Sequence, residues 1–445
     1  MAETREIYKT LDLALRVGEL LLSSGAGAAD VSATMLSVAH GCGLRGVTAD
    51  VTFTALRLSH QVSYDEPALI QMRQVTHRDI DYEDLTLVDQ LVSELLAGNI
   101  DVDEARTQMA RIVSSGHRLP RWAVTVGFGV IGSGVGLLLG GHLIVIALAG
   151  AAALGVDVLQ RAMSRRRLPS FYQQVAGGLL ATLVAVGTAA LDLPVQPSLV
   201  VTACIIMLLA GINFMGAIQD ALTGFPLTAG ARILEALLST AGVIAGVSGG
   251  LTIGRSLGVN LGRLEPGYAS WGALPWMTLG AGICAGAFAF ASYAPWRAVL
   301  PTALIGALGE FLYYVSQDRD LGRAWGSGIA AVVIGIVSYS VATWVRVPPL
   351  VVVVSAIVPL LPGLSIYRGL SLMATGGNGI LPLVGAAAVA IALASGVILG
   401  EYVAQPLRRE ARKLETRLSG PRLVGPLRAR AVKKQPADQG EQQAA

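Results

Sequence analysis

Between Trp122 and Tyr402 the chain reads as ten apolar stretches, and no other feature limits its fold so tightly. A bilayer hydrocarbon core of about 30 Å takes about 20 apolar residues per helix, so this segment can hold about ten spanning helices joined by short connections. The expected spans run roughly over 121–140, 143–163, 171–191, 199–218, 231–254, 271–292, 297–316, 325–343, 350–373 and 380–403. Composition agrees, since 53% of the 445 residues are hydrophobic and only 14% charged, too apolar for an ordinary soluble domain.

The ten stretches divide into two sets of five that overlay at a nearly constant offset. Leu208 to Phe214, continuing through Thr223-Gly224, falls on Leu360 to Ile366 and Thr375-Gly376 at an offset of 152 residues without a gap. Thr125, Gly127, Gly129 and Asp157 fall on Thr278, Gly280, Gly282 and Glu310 at an offset of 153. An odd number of spans per set inverts the second set in the membrane. Inverted repeats of this kind place substrate sites near the bilayer midplane, at the repeat interface. The fold expected is therefore a polytopic α-helical membrane protein: residues 1–119 a small cytoplasmic α/β domain, 120–268 and 269–405 two inverted five-helix repeats, and 406–445 a basic, disordered tail.

Charge marks the same divisions. Residues 1–119 carry 10 Lys/Arg against 17 Asp/Glu, residues 120–405 carry 13 against 9, and the tail carries 10 against 4. Arg161, Arg165, Arg166 and Arg167 and the cations from Arg408 onward belong inside by the positive-inside rule, which with an even span count puts both termini in the cytoplasm. Arg255, Arg263, Arg319 and Arg323 fall outside and run against the rule. The basic tail suits anionic lipid headgroups. Met1 to Leu22 mixes charges into a helical pattern and is no signal peptide. Three cysteines and histidines without ligand spacing support neither a disulfide framework nor a metal site, and nothing calls for a cofactor or nucleic acid.

In the soluble region Leu11, Leu15, Gly18 and Leu22 recur at helical spacing. After Ser23-Ser24-Gly25-Ala26-Gly27 a second helix begins near Asp30, read as its N-cap. Val47 to Val62 alternates and reads as two strands or one long one, and further helices fit about 82–97 and 101–115. The Gly-rich turn lacks a Walker lysine and a preceding strand, so it does not read as a phosphate loop.

Within the spans, a break in a helix survives only where it faces protein or a water-filled cavity. Pro359, Pro362 and Gly363 supply one such break, and Gly211 marks the matching point in the first half. Freed helix ends there can bind the charged groups of a small zwitterion, with the Asn213 amide and its repeat partner Ser365 beside them. Gly211, Asn213, Pro362, Gly363 and Ser365 are thus the candidate substrate residues. Charges inside spans cost about 2.5–3.5 kcal/mol each at the helix centre, so each needs a reason. Asp157, Asp220, Glu235, Glu310 and Arg368 are the candidates for proton coupling or gating, and Arg232 stands three residues before Glu235, a spacing that lets the two pair. Gly132, Gly136 and Gly140, and Gly242, Gly246, Gly250 and Gly254, recur every fourth residue as packing stripes, either within one chain or across a homodimer.

The string Leu13 to Ala26, followed by Asp30-Val31, Met35 and Gly43-Leu44, resembles the opening motif of the threonine/serine exporter family. The likeness continues through Val51 to Thr54, Gly211 to Gly224, Ala231 to Leu237 and the Pro359 to Gly363 run with Tyr367-Arg368-Gly369, about nine tenths of the chain in all. Where relatives carry Pro-Gly in the first half, this chain has Ala210-Gly211, which implies a weaker break there. The resemblance implies a bacterial cytoplasmic-membrane carrier, not an enzyme, that expels L-threonine and L-serine using the proton motive force. Relatives that divide the two halves between separate chains raise a dicarboxylate, succinate, as the alternative substrate.

Overall fold

The computed structural model describes residues 2–62, 65–75, 80–191, 197–208, 211–259, 271–374 and 377–418. The soluble region consists of α1 (Ala2–Ser23), α2 (Ala28–Gly41), β1 (Val47–Val51), β2 (Ala55–His60), β3 (Leu69–Gln74), α3 (Tyr82–Leu96) and α4 (Val102–Ser114). Three antiparallel strands form one sheet in the order β1-β2-β3, with Val47 opposite His60 and Ala55 opposite Gln74. The third strand was not expected. Leu11, Leu13 and Leu22 of α1 and Leu56 and Leu58 of β2 bury almost completely and form the core.

Asp81 and Asp101 explain where α3 and α4 begin: the Asp81 carboxylate accepts from the amides of Glu83 and Asp84, and Asp101 accepts from that of Glu104. The expected cap at Asp30 is corrected, because α2 starts three residues earlier with Gly27 as its N-cap and Asp30 lies in its first turn.

The apolar region contains α5 (Arg121–Leu138), α6 (Leu143–Arg165), α7 (Ser170–Ala190), α8 (Pro197–Leu208), α9 (Gly211–Leu222), α10 (Pro226–Ser256), α11 (Leu274–Ala291), α12 (Trp296–Asp318), α13 (Arg323–Val345), α14 (Pro349–Ile357), α15 (Gly363–Ala374) and α16 (Ile380–Leu418). Among the described residues eight segments are long and apolar enough to cross a membrane: α5, α6, α7, α10, α11, α12, α13 and Ile380–Ala404 of α16. A ninth crossing is counted if Pro349–Leu360 and Gly363–Met373, bent by 49°, form one broken span. The fourth expected span, 199–218, is covered by α8 and α9, of 12 residues each, on either side of residues 209 and 210. Residues 209 and 210, where the weaker break was expected, lie outside the described residues, as do the side chains of the basic tail.

Both glycine stripes pack within the chain. A Cβ on Gly132 would meet Ala149 O at 2.7 Å on α6, and one on Gly242 or Gly246 would meet Phe171 O at 2.7 Å or Val175 O at 2.1 Å on α7. Helices meet so closely in a bilayer only where such small residues let the backbones approach. In the second half α13 and α16 cross the same way, with Gly400 against Val332 O at 2.5 Å. The soluble region rests on one end of this bundle. Tyr82 N–H donates to Ser292 O at 2.8 Å in the α11–α12 turn, and the fully buried Tyr82 ring meets Phe288 edge-on.

Candidate functional site

Two helix ends meet where the soluble region touches the bundle. Helix α1 closes through Gly25 at φ +94°, with the Gly25 and Ala26 amides donating to Leu22 O and Leu21 O. Helix α9 closes the same way through Gly224 at φ +94°, with the Gly224 and Phe225 amides donating to Ala221 O and Asp220 O. Only glycine adopts that backbone freely, and this accounts for the Gly-rich turn without any phosphate.

Asp220, fully buried in the last turn of α9, accepts from the Ala28 amide at 2.9 Å through Oδ1 and so caps α2 from a helix 192 residues away in the chain. Its other oxygen pairs with Arg232 Nε at 3.2 Å, and Arg232 Nη2 donates to Ala26 O at 3.1 Å. Gly216 leaves the room that the guanidinium occupies, since a Cβ there would stand 2.7 Å from Arg232 Nη1. A carboxylate at a helix C-terminus is unfavourable alone, and Arg232 offsets both that and the desolvation of the buried acid. The expected Arg232–Glu235 pairing is corrected: Arg232 turns to Asp220, and no cation lies within ion-pair distance of Glu235 among the described residues.

Beside this latch lies a cavity of ≈ 110 Å³. Ser23, Ser24 and Gly25 of the turn wall one side, and Asn213, Arg232 and Glu235 wall another. Leu350 and Val354, one helical turn apart on α14, add an apolar strip. Asn213 lines the cavity and makes no side-chain hydrogen bond to another described residue.

The start of α9 adjoins the break that precedes α15. A Cβ on Gly211 would lie 3.0 Å from Leu361 Cβ, in the link between the short 3-10 turn Val358–Leu360 and α15. Pro362 and Gly363 are buried at that link; Ser365 and Arg368 are half-buried on α15 and do not line the cavity, and among the described residues no carboxylate lies within ion-pair distance of Arg368.

The repeat-equivalent acids differ in their surroundings. Asp157 pairs with Arg161 one turn along α6, and Arg161 also donates to Thr125. Glu310 is only 5% exposed on α12, and no cation lies within ion-pair distance of it among the described residues.

A second polar cluster lies outside the bilayer segments at the same junction. His117 Nδ1 sits 3.3 Å from Asp81 Oδ2, and its ring stacks on Tyr293 with centroids 4.0 Å apart. Burial, and then the charge of Asp81, push the Asp84 carboxyl up to about 6.

Two family models span most of the chain: one described as a threonine/serine exporter matches residues 12–254, and a second of like description matches residues 277–403. The chain belongs to the threonine/serine exporter family. It is 36% identical over 441 residues to a "Probable threonine/serine exporter" of Mycobacterium tuberculosis, covering 96% of this chain and 83% of that protein. It is 31% identical over 423 residues to a "Threonine/serine exporter" of Corynebacterium glutamicum, covering 93% and 86%. No solved structure matches. Membership makes this a multi-pass membrane transporter rather than an enzyme.

For a member of this exporter family, sequence reasoning singled out Asp220, Asn213 and Glu235 but missed their meeting with the Ser23–Ala28 turn. A separation of 192 residues between Asp220 and Ala28 leaves no local signal. The only trace in the sequence is an acid and an arginine in short polar patches of otherwise apolar helices. Tyr82 and His117 were also missed, because their partners Phe288 and Tyr293 lie two domains' length away in the chain.

Proposed function

We propose that this chain exports L-threonine and L-serine across a bacterial cytoplasmic membrane by antiport against inward-moving protons. The observation that carries the reading is the meeting of Gly211, at the start of α9, with Leu361 at the break before α15, next to a cavity lined by Asn213, Arg232 and Glu235. Broken helices beside a polar cavity are the means by which secondary carriers bind small charged solutes in a bilayer. Gly211, Pro362, Gly363 and Ser365 shape the break, and Asn213 faces the solute. With α8 and α9 counted as one span and α14–α15 as one broken span, the chain crosses ten times as two inverted five-helix repeats. Matching contacts support this: α5 packs on α6 as α11 on α12, and α7 on α10 as α13 on α16. The arginine cluster at the end of α6 lies toward the face that carries the soluble region, consistent with both on the cytoplasmic side.

Glu310 takes the proton. A carboxylate so buried in an apolar bundle, with no cation beside it among the described residues, is costly when ionised, so it loads a proton and releases it when water reaches it. Asp157 and Asp220 are held by arginines and serve as structural or gating charges instead. Succinate fits the cavity less well, because its two carboxylates would meet one arginine and the carboxylate of Glu235.

In inside-out vesicles with an acid interior, labelled threonine should accumulate and a protonophore should abolish the accumulation. Succinate accumulation alone would move the protein to the dicarboxylate branch. Glu310→Gln should keep threonine exchange while losing its dependence on the pH gradient; normal coupling in that variant would remove Glu310 from the proton path.

A further inference from the structure

We infer that the soluble N-terminal region is part of the substrate site, its Ser23–Gly25 turn closing one wall of a pocket that reads both ends of a zwitterionic α-amino acid. This rests on the export reading above. The pocket has the right size: about 10–15 Å³ of such space holds one water, so ≈ 110 Å³ takes several waters or one solute of under ten heavy atoms.

Its chemistry is graded. Arg232 and Glu235 stand three residues apart on one face of α10 and both line the pocket, offering a cation to a carboxylate and an anion to an ammonium. Arg232 spends Nε on Asp220 and Nη2 on Ala26 O, and a guanidinium has five N–H donors, so donors remain for a carboxylate. Among the described residues no cation lies within ion-pair distance of Glu235, and its carboxylate suits an ammonium. Asn213 offers its amide to a side-chain hydroxyl, and Leu350 and Val354 offer an apolar strip to a methyl group. The remaining wall belongs to the soluble region, and Asp220 and Arg232 hold that wall in place through Ala28 N–H and Ala26 O. A turn clamped by two buried charges of the bundle is a fixed wall of the pocket, not a loose cover.

The test uses the full chain in lipid nanodiscs and labelled L-threonine. Threonine methyl ester, which lacks the carboxylate, and 2,3-dihydroxybutyrate, which lacks the ammonium, serve as competitors. Neither should displace threonine at tenfold higher concentration, and Glu235→Gln should weaken threonine binding by about tenfold or more, with Glu235→Asp recovering part of it. Ser24→Leu, which intrudes from the soluble side, should weaken binding to a similar degree. Because Ser24 is buried and that variant can misfold, Ser23→Cys in a Cys42→Ser background gives a second readout: threonine should slow its labelling by maleimide, and succinate should not. If wild-type vesicles export threonine but labelling of Ser23→Cys ignores it and Ser24→Leu binds normally, the soluble wall is wrong while the export reading stands. If the wild type neither exports nor binds threonine, the export reading itself is overturned. Competition by the dihydroxy acid equal to that of threonine would overturn the role given to Glu235.

Discussion

Asp220→Ala should cost about 3–5 kcal/mol and free the start of α2 from the bundle. The carboxylate is fully buried, so its removal leaves Arg232, only 8% exposed, as an uncompensated buried charge. Breaking one side of such a pair is far more damaging than removing both partners. The same change strips the Ala28 amide of its acceptor, an orphan donor that α2 cannot satisfy from its own Gly27 cap. Hydrogen exchange across residues 20–35 should accelerate, and thermal unfolding should shift down by several degrees. Asp220→Leu combined with Arg232→Met, which removes both charges at similar volume, should recover most of the stability while leaving threonine binding lost. A double-mutant cycle reports the coupling between the two residues. If Asp220→Ala unfolds within about 1 kcal/mol of the wild type, the buried latch does not hold the domains together.

The class of fold was open to reading because a bilayer forces a uniform demand on composition. Eight of the expected spans fall on continuous helices for that reason. Helices α3 and α4 were open to reading too, since each begins on an aspartate cap before an amphipathic run. Strand β3 was not, and its side chains show why. Ile70 and Met72 point outward at 67% and 62% exposure, while Gln71 and Arg73 face α1, where Arg73 pairs with Asp12 at 3.1 Å and Glu19 at 2.7 Å. The usual rule of apolar inside and polar outside is reversed along this strand, so its alternation carries no recognisable phase.

The break at Pro362-Gly363 was legible because proline removes a donor and clashes with the preceding turn wherever it falls in a helix. What the break faces was not legible. That Gly211 meets Leu361 depends on how two distant helices pack, and a glycine in an apolar helix looks the same whether it serves a break or a crossing. Charged residues behaved likewise. Their cost in a span announces that they matter, but Asp157, Asp220 and Glu310 part company only when Arg161 and Arg232 are found beside the first two.

Gly246→Ala should destabilise the bundle by about 3 kcal/mol, at the upper end for one added methyl in a packed site. The new Cβ would stand 2.1 Å from Val175 O and 2.8 Å from Leu179 N, and a backbone cannot rotate out of the way as a side chain can. Helices α7 and α10 must then move apart along a seam that Gly178, Gly242, Gly250 and Gly254 also hold close. Gly249→Ala, three residues on along the same helix, is the control. A Cβ there meets nothing within 4 Å, so that variant should be neutral or gain up to about 1 kcal/mol from better helix propensity. Displacement of α10 also carries Arg232 and Glu235 away from the Ser23–Gly25 turn, so Gly246→Ala should lose threonine transport along with thermal stability, while Gly249→Ala keeps both. Equal melting temperatures for the two variants would refute the close α7–α10 crossing, and with it the framework that positions the pocket.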